Sequence, residues 1–198
     1  MDETLIHCVD DVEKGETDVI IEINFPGEEP VYAGVNIRPF IIECLIQASK
    51  NYQVILFTAS HQVYADAILD YVDPQKELFQ QRLYRQHCVL TPEGYYVKDL
   101  RIFGKDLSQI VIIDNSVFSF AYQIGNGIPI IPFYDDKSDE EMLHLLYYLD
   151  CLAKVQDVRQ QNREAFELHR LTEEKKDSGD ILMAVDQVIE EDAEMEED

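Results

Sequence analysis

The sequence predicts an α/β protein built on an open sheet, and two stretches carry most of that reading. Ile110-Val111-Ile112-Ile113 is an uninterrupted apolar run that passes directly into Asp114-Asn115-Ser116. Val54-Ile55-Leu56-Phe57 passes in the same way into Thr58-Ala59-Ser60. Apolar runs without alternation fit strands covered on both faces. Helical segments follow both, and strands alternating with helices indicate an open α/β sheet. In such sheets ligands bind at the carboxyl ends of the strands. Both runs therefore end where chemistry is expected, although Asp, Asn, Thr and Ser also close strands by bonding their own backbone.

In chain order, Asp2-Glu3-Thr4-Leu5-Ile6-His7 opens the sequence with no strand ahead of it. Val19–Ile23 and Val31–Ile37 are β-branched runs around Phe25-Pro26-Gly27-Glu28-Glu29-Pro30, which predicts a hairpin with a long loop. Arg38-Pro39 starts a helix with proline at its first position, and Phe40, Ile41, Leu45, Ile46 and Ala48 form its apolar stripe. After Thr58-Ala59-Ser60 a helix runs from about His61 to Tyr71 with Ser60 as its N-cap, which presents hydroxyls and free N–H groups to an anion. Arg82–Arg85 and Cys88–Leu90 are strand-like, and Cys88–Leu90 pairs with Tyr95–Val97 across Thr91-Pro92-Glu93-Gly94 as a second hairpin. Lys98 follows that strand directly. Beyond Ser116 come a short helix near Val117–Gln123, an Asn126-Gly127 turn, a strand over Ile128–Pro132, and helices over about Asp139–Val155 and Val158–Leu171.

Composition sets limits. The chain has 198 residues, 46% of them hydrophobic, which suffices for one sizeable core. Residues 1–171 form the expected domain, and 172–198 an acidic tail. From Glu173 to Asp198 there are twelve acids and two lysines, with a short amphipathic pattern at Ile181, Leu182, Val185, Val188 and Ile189. The net charge of −24 argues against direct nucleic-acid binding, because phosphate backbones are held by Lys and Arg. No run reaches 18 apolar residues and no secretory signal opens the chain, so a nuclear or cytoplasmic protein with no membrane contact is expected. The four cysteines are scattered without metal-site spacing and read as reduced thiols. The five histidines are equally dispersed and read as core or surface residues.

The strand ends supply Thr58 and Ser60, Lys98, and Asp114 with Asn115, while Asp2 lies at the amino end. Hydroxyl, ammonium, carboxylate and amide together fit phosphoryl transfer around a hard cation such as Mg²⁺. In these motifs, Asp2-Glu3-Thr4-Leu5, Phe57-Thr58-Ala59-Ser60, Tyr96-Val97-Lys98-Asp99-Leu100 and Ile113-Asp114-Asn115-Ser116, the chain resembles the small phosphatases acting on the RNA polymerase II C-terminal domain, within the haloacid dehalogenase superfamily. Arg38-Pro39-Phe40, Tyr64-Ala65-Asp66, Leu83-Tyr84-Arg85 and Asn126-Gly127-Ile128-Pro129 extend the resemblance over roughly the first 170 residues. It implies a Rossmann-like parallel sheet with flanking helices and a β-hairpin flap. The implied reaction is Mg²⁺-dependent hydrolysis of phosphoserine or phosphothreonine in a protein or peptide, through an aspartyl-phosphate, by a monomer. Asp2 matches the general acid/base whose carbonyl also touches the metal, Thr58 the phosphate-binding hydroxyl, and Lys98 the lysine pairing nucleophile and phosphate. Asp114 and Asn115 match metal-site residues, and Ser60, Tyr64 and Arg85 positions lining the substrate site.

One departure matters. The family motif is Asp-x-Asp-x-Thr with the first Asp as nucleophile, whereas here Asp2 is the second acid and Met1 stands at the x. The nucleophile and the central strand that carries it are expected ahead of Met1, which makes an N-terminally incomplete copy the leading expectation. As written, the chain is then expected to lack phosphatase activity. A catalytically inactive module binding phosphopeptides or partners is the alternative. A receiver-like signalling domain fits less well, because receivers lack the two hairpins and the Asp114-Asn115 pair.

Overall fold

The computed structural model describes residues 1–9 and 17–173. The amphipathic stretch at Ile181–Ile189, and the acidic tail from residue 174 onward, lie outside them. The strands are β1 (Ile6–Val9), β2 (Val19–Ile23), β3 (Val31–Ile37), β4 (Ile55–Phe57), β5 (Gln81–Leu83), β6 (Val89–Leu90), β7 (Tyr96–Val97), β8 (Ile112–Asp114) and β9 (Gly127–Pro129). The α-helices are α1 (Ile41–Ala48), α2 (Gln62–Val72), α3 (Glu141–Leu152), α4 (Val158–Phe166) and α5 (His169–Glu173).

The first hairpin forms as its β-branched runs require. β2 pairs antiparallel with β3, Ile21 opposite Ala33, and β1 adds on the far side with Ile6 opposite Ile37. Alternation along β2 sends Ile21 and Ile23 inward and Ile20 and Glu22 outward. The inward set joins Leu56, Ile68, Leu69 and Tyr84 in the largest core cluster. The second hairpin is present too, with Val89 opposite Val97.

The parallel strands differ from a single open sheet. β4 pairs with β5 and β8 with β9, each in parallel, but no described strand joins β4 to β8 by a hydrogen-bonded ladder. The segment opening the chain links the carboxyl ends of the two ladders as a turn. Met1 O accepts from the N–H groups of Thr4, Leu5 and Ile6, and Glu3 adopts φ 49°. Two apolar clusters flank the ladders, one around Leu56 and one around Ile128, Leu149 and Leu152, and Val54 packs against both.

Several local expectations need correcting. The helix expected to begin at Arg38-Pro39 begins at Ile41, because Phe40 turns into the left-handed region at φ 63° and Arg38 is drawn into the interior. Ser60 does not cap α2. The cap position is His61 without a side-chain bond, and the Ser60 hydroxyl is engaged by Asp2 instead. The segment after Ser116 is a kinked 3₁₀ helix over Val117–Asn126. Asn126-Gly127 is not a turn: Gly127 opens β9, and a Cβ there would meet the buried Phe120 ring at 1.9 Å. The last expected helix divides into α4 and α5 at Glu167, which adopts φ 52°.

Candidate active site

The carboxyl ends of β4 and β8 face a shared centre, and the opening turn reaches both. On the β4 side, Asp2 receives two hydrogen bonds, from Ser60 Oγ to Oδ2 (2.5 Å) and from Tyr64 Oη to Oδ1 (2.7 Å). The Tyr64 phenol is pushed well above its usual range by burial and by the adjacent Asp2 charge, so it stays a donor. Thr58, 2% exposed, accepts the Ser60 N–H at its Oγ1 (3.0 Å), which fixes the tight Thr58-Ala59-Ser60 bend.

On the β8 side, Lys98 Nζ and Asp114 Oδ2 form a buried ion pair. Lys98 arrives from the end of β7, where its N–H is fixed by Ser119 O (2.7 Å). Asp114 Oδ1 accepts the Ser116 N–H (2.9 Å). Burial opposes ionisation of Asp114, but Lys98, the Met1 ammonium and the Ser116 N–H outweigh it and hold the carboxyl below its ordinary range. The Met1 amine is itself buried, and burial with the Lys98 charge pulls its pKa down. Thr4 Oγ1 donates to Asn115 Oδ1 (3.1 Å), so the opening turn contacts the β8 end as well as the β4 end.

Arg85 lies at the rim. Its Nε donates to Ala59 O (2.5 Å), its Nη1 meets His61 Nε2 (2.9 Å), and its guanidinium covers the Tyr96 ring at 4.9 Å. Asp2, Ser60, Tyr64 and Thr58 thus form one bonded group, with Arg85 attached through Ala59, and Lys98 with Asp114 forms another; the opening turn connects the two sides through the bond from Thr4 to Asn115, the neighbour of Asp114. The sequence reading overlooked Thr4 as the link to Asn115, and His61 and Tyr96 as partners of Arg85. Thr4 was legible as the last residue of the opening motif, whereas His61 and Tyr96 carry no local signal.

Hard oxygen donors suited to Mg²⁺ are adjacent in Asp114 and Asn115, with Asp2 across the centre. No group of three His, Cys, Asp or Glu side chains converges on a metal position among the described residues. Asp2 is instead committed to Ser60 and Tyr64, and Asp114 to Lys98. The donors fit the ion in kind and supply part of a shell. No described helix is long and apolar enough to cross a membrane.

Comparison with known proteins places the chain in a family. Residues 1–159 match the family described as NLI interacting factor-like phosphatase. The chain is 42% identical over 172 residues to CTD small phosphatase-like protein 2 of Dictyostelium discoideum, covering 86% of this chain and 30% of that protein. It is 43% identical over 159 residues to nuclear envelope morphology protein 1 of Schizosaccharomyces pombe, covering 80% and 33%. It is 38% identical over 178 residues to CTD nuclear envelope phosphatase 1B of Danio rerio, covering 86% and 72%. The chain thus spans about a third of the first two relatives. Among solved structures, fission yeast RNA polymerase II CTD phosphatase Fcp1 bound to beryllium fluoride superposes with a TM-score of 0.56 over 88% of this chain and 54% of that one, at 18% identity, a likeness of fold. With a family match over most of its length and relatives near 40% identity, this chain belongs to the NLI interacting factor-like phosphatases.

Proposed function

We propose that the domain hydrolyses phosphoserine or phosphothreonine in protein segments, in the manner of C-terminal-domain phosphatases, through an aspartyl-phosphate and with Mg²⁺. The observation that supports this reading is the opening turn, which carries Asp2 to Ser60 beside Thr58 on the β4 side and Thr4 to Asn115, next to the Lys98–Asp114 pair, on the β8 side. The Thr58 hydroxyl, whose oxygen accepts the Ser60 N–H, would donate its proton to a phosphate oxygen. Lys98, kept at the centre by Asp114, offsets phosphate charge. Asp2, aimed by Ser60 and Tyr64, gives a proton to the leaving oxygen and later takes one from water. Asp114 and Asn115 would hold Mg²⁺, which neutralises charge on the phosphoryl group. By the family resemblance Arg85 and Tyr64 would stand near the peptide groove, and a β2–β3 hairpin in place of a helical cap would leave room for a macromolecule. In this reading the accepting aspartate is the first Asp of the Asp-x-Asp-x-Thr motif, which the 198 residues enter at the position matched by Met1.

The 198-residue chain is therefore expected to be inert toward p-nitrophenyl phosphate. The same chain extended by an apolar strand ending in Asp-Leu before Asp2 is expected to turn it over in a Mg²⁺-dependent way. Robust turnover by the 198-residue chain, or none by the extended one, would overturn the proposal.

A second reading is favoured by one observation. Lys98 and Asp114 already satisfy each other inside the fold. A catalytically inactive module holding phosphopeptides needs nothing further. An extended chain that binds a phosphopeptide without hydrolysing it would select this reading.

A further inference from the structure

The turn that carries Asp2 is gripped at three consecutive carbonyls. Phe133 N–H donates to Glu3 O (2.8 Å), Arg38 Nη1 to Thr4 O (3.1 Å) and Arg38 N–H to Leu5 O (3.0 Å). Two of the three donors belong to Arg38, a residue that is 1% exposed. Its Nε and Nη2 form a two-pronged pair with Asp139 Oδ1 (2.8 Å) and Oδ2 (2.7 Å), and its guanidinium lies 5.5 Å from the centre of the Phe133 ring. Asp139 Oδ1 also accepts the Glu141 N–H (3.1 Å) at the start of α3, so the far end of the pair is itself anchored.

A gain in stability is a weak reason for this arrangement. Buried ion pairs replaced by apolar groups of similar volume commonly leave stability unchanged or raised. What the pair uniquely provides is a rigid planar donor at Thr4 O. Glu3 needs such a restraint, because its positive φ is disfavoured for a residue with a Cβ. Beyond the grip, the turn ends in the two contacts that assemble the site: Asp2 to Ser60 and Tyr64, and Thr4 to Asn115.

We propose that Arg38, braced by Asp139, is a positioning residue that holds the Asp2–Leu5 turn in its strained form, so that Asp2 faces Ser60 and Tyr64 and Thr4 reaches Asn115. The contribution to turnover rests on the phosphatase reading, whereas the effect on the turn does not.

The test uses Arg38→Met with Asp139→Asn, which removes both buried charges and leaves an oxygen for the Glu141 N–H. Amide hydrogen exchange in the 198-residue chain is expected to quicken about tenfold at Leu5 and Phe133, with Leu56 in β4 unchanged. Unchanged protection at Leu5 and Phe133, or a uniform loss throughout the domain, would overturn the proposal. If the double variant does not fold, Arg38→Lys is judged by the same amides, since lysine can keep the charge pair while losing the fork that reaches Thr4. In the extended chain the same variants are expected to lower kcat between about ten- and a hundredfold with KM held within about twofold. A loosened turn with kcat intact would contradict the catalytic part. Absence of turnover from the extended chain with Arg38 in place would count against the phosphatase reading alone, and the exchange result would still decide the positioning role.

Discussion

The two sides of the site are built from different physics. On the β4 side Asp2 is held by two neutral hydroxyls, partly open to solvent. On the β8 side Asp114 is held by the ammonium of Lys98, and each side chain is only 5% exposed. A carboxylate held by neutral hydroxyls is oriented without a counter-charge, which fits the acid and base role proposed for Asp2. A carboxylate locked to a buried cation is fixed in charge, which suits a group that sets the electrostatics of the centre. One carboxylate is oriented by neutral groups, and the other is bound to a buried charge.

The sharpest way to break this contrast is on the rigid side. Lys98→Met leaves Asp114 buried without its cation, and a loss of about 3–5 kcal/mol in urea unfolding is expected. On the open side, Tyr64→Phe removes one donor to a partly exposed carboxylate, and about 1–2 kcal/mol is expected by the same measurement. Ser60→Ala should cost less, about 0.5–1.5 kcal/mol, because water can reach the vacated oxygen. Equal losses on the two sides would remove the distinction.

Acid titration addresses the support of the open side. Tyr64 stands on α2, whose Asp66 and Asp70 bind Arg82 Nη1 at 2.9 and 2.7 Å. Partial burial works against ionisation of Asp66, but bonds from Tyr84 and Arg82 prevail, and for Asp70 the Arg82 bond dominates, so both carboxyls titrate below their ordinary range. Groups lowered in the folded state contribute stability that is complete above their unfolded pKa and lost as pH falls through the folded value. The melting temperature should therefore hold from pH 7 to about 5 and decline below about 4. Arg82→Gln should flatten that decline, and an unaltered acid limb would contradict the assignment.

Much of this was legible in the sequence where the signal is local. The hairpins follow from β-branched runs and turn residues, and β4 and β8 from apolar runs that end in polar groups. Ladder partners were not legible, since β8 finds β9 rather than β4 through packing that no short window records. The assignment of Ser60 as a cap failed because its hydroxyl is taken by Asp2, 58 residues away. Arg38 looked like the entry to a helix, yet its partner Asp139 lies 101 residues further on. Gly127 reads as a turn residue in sequence, whereas its requirement is the flat ring of Phe120 against its backbone. The motif residues were identifiable by type and order, and their wiring was not.

The most direct test of the central claim, that residues from both ladders form one phosphoryl site, is Mg²⁺-dependent turnover of the extended chain with and without Asn115→Ala. Asn115 lies on the β8 side and is tied to the opening turn through Thr4. Turnover is expected to fall by about a hundredfold or more in the variant, as when a group stabilising transition-state charge is removed. Equal rates in the two chains would contradict it.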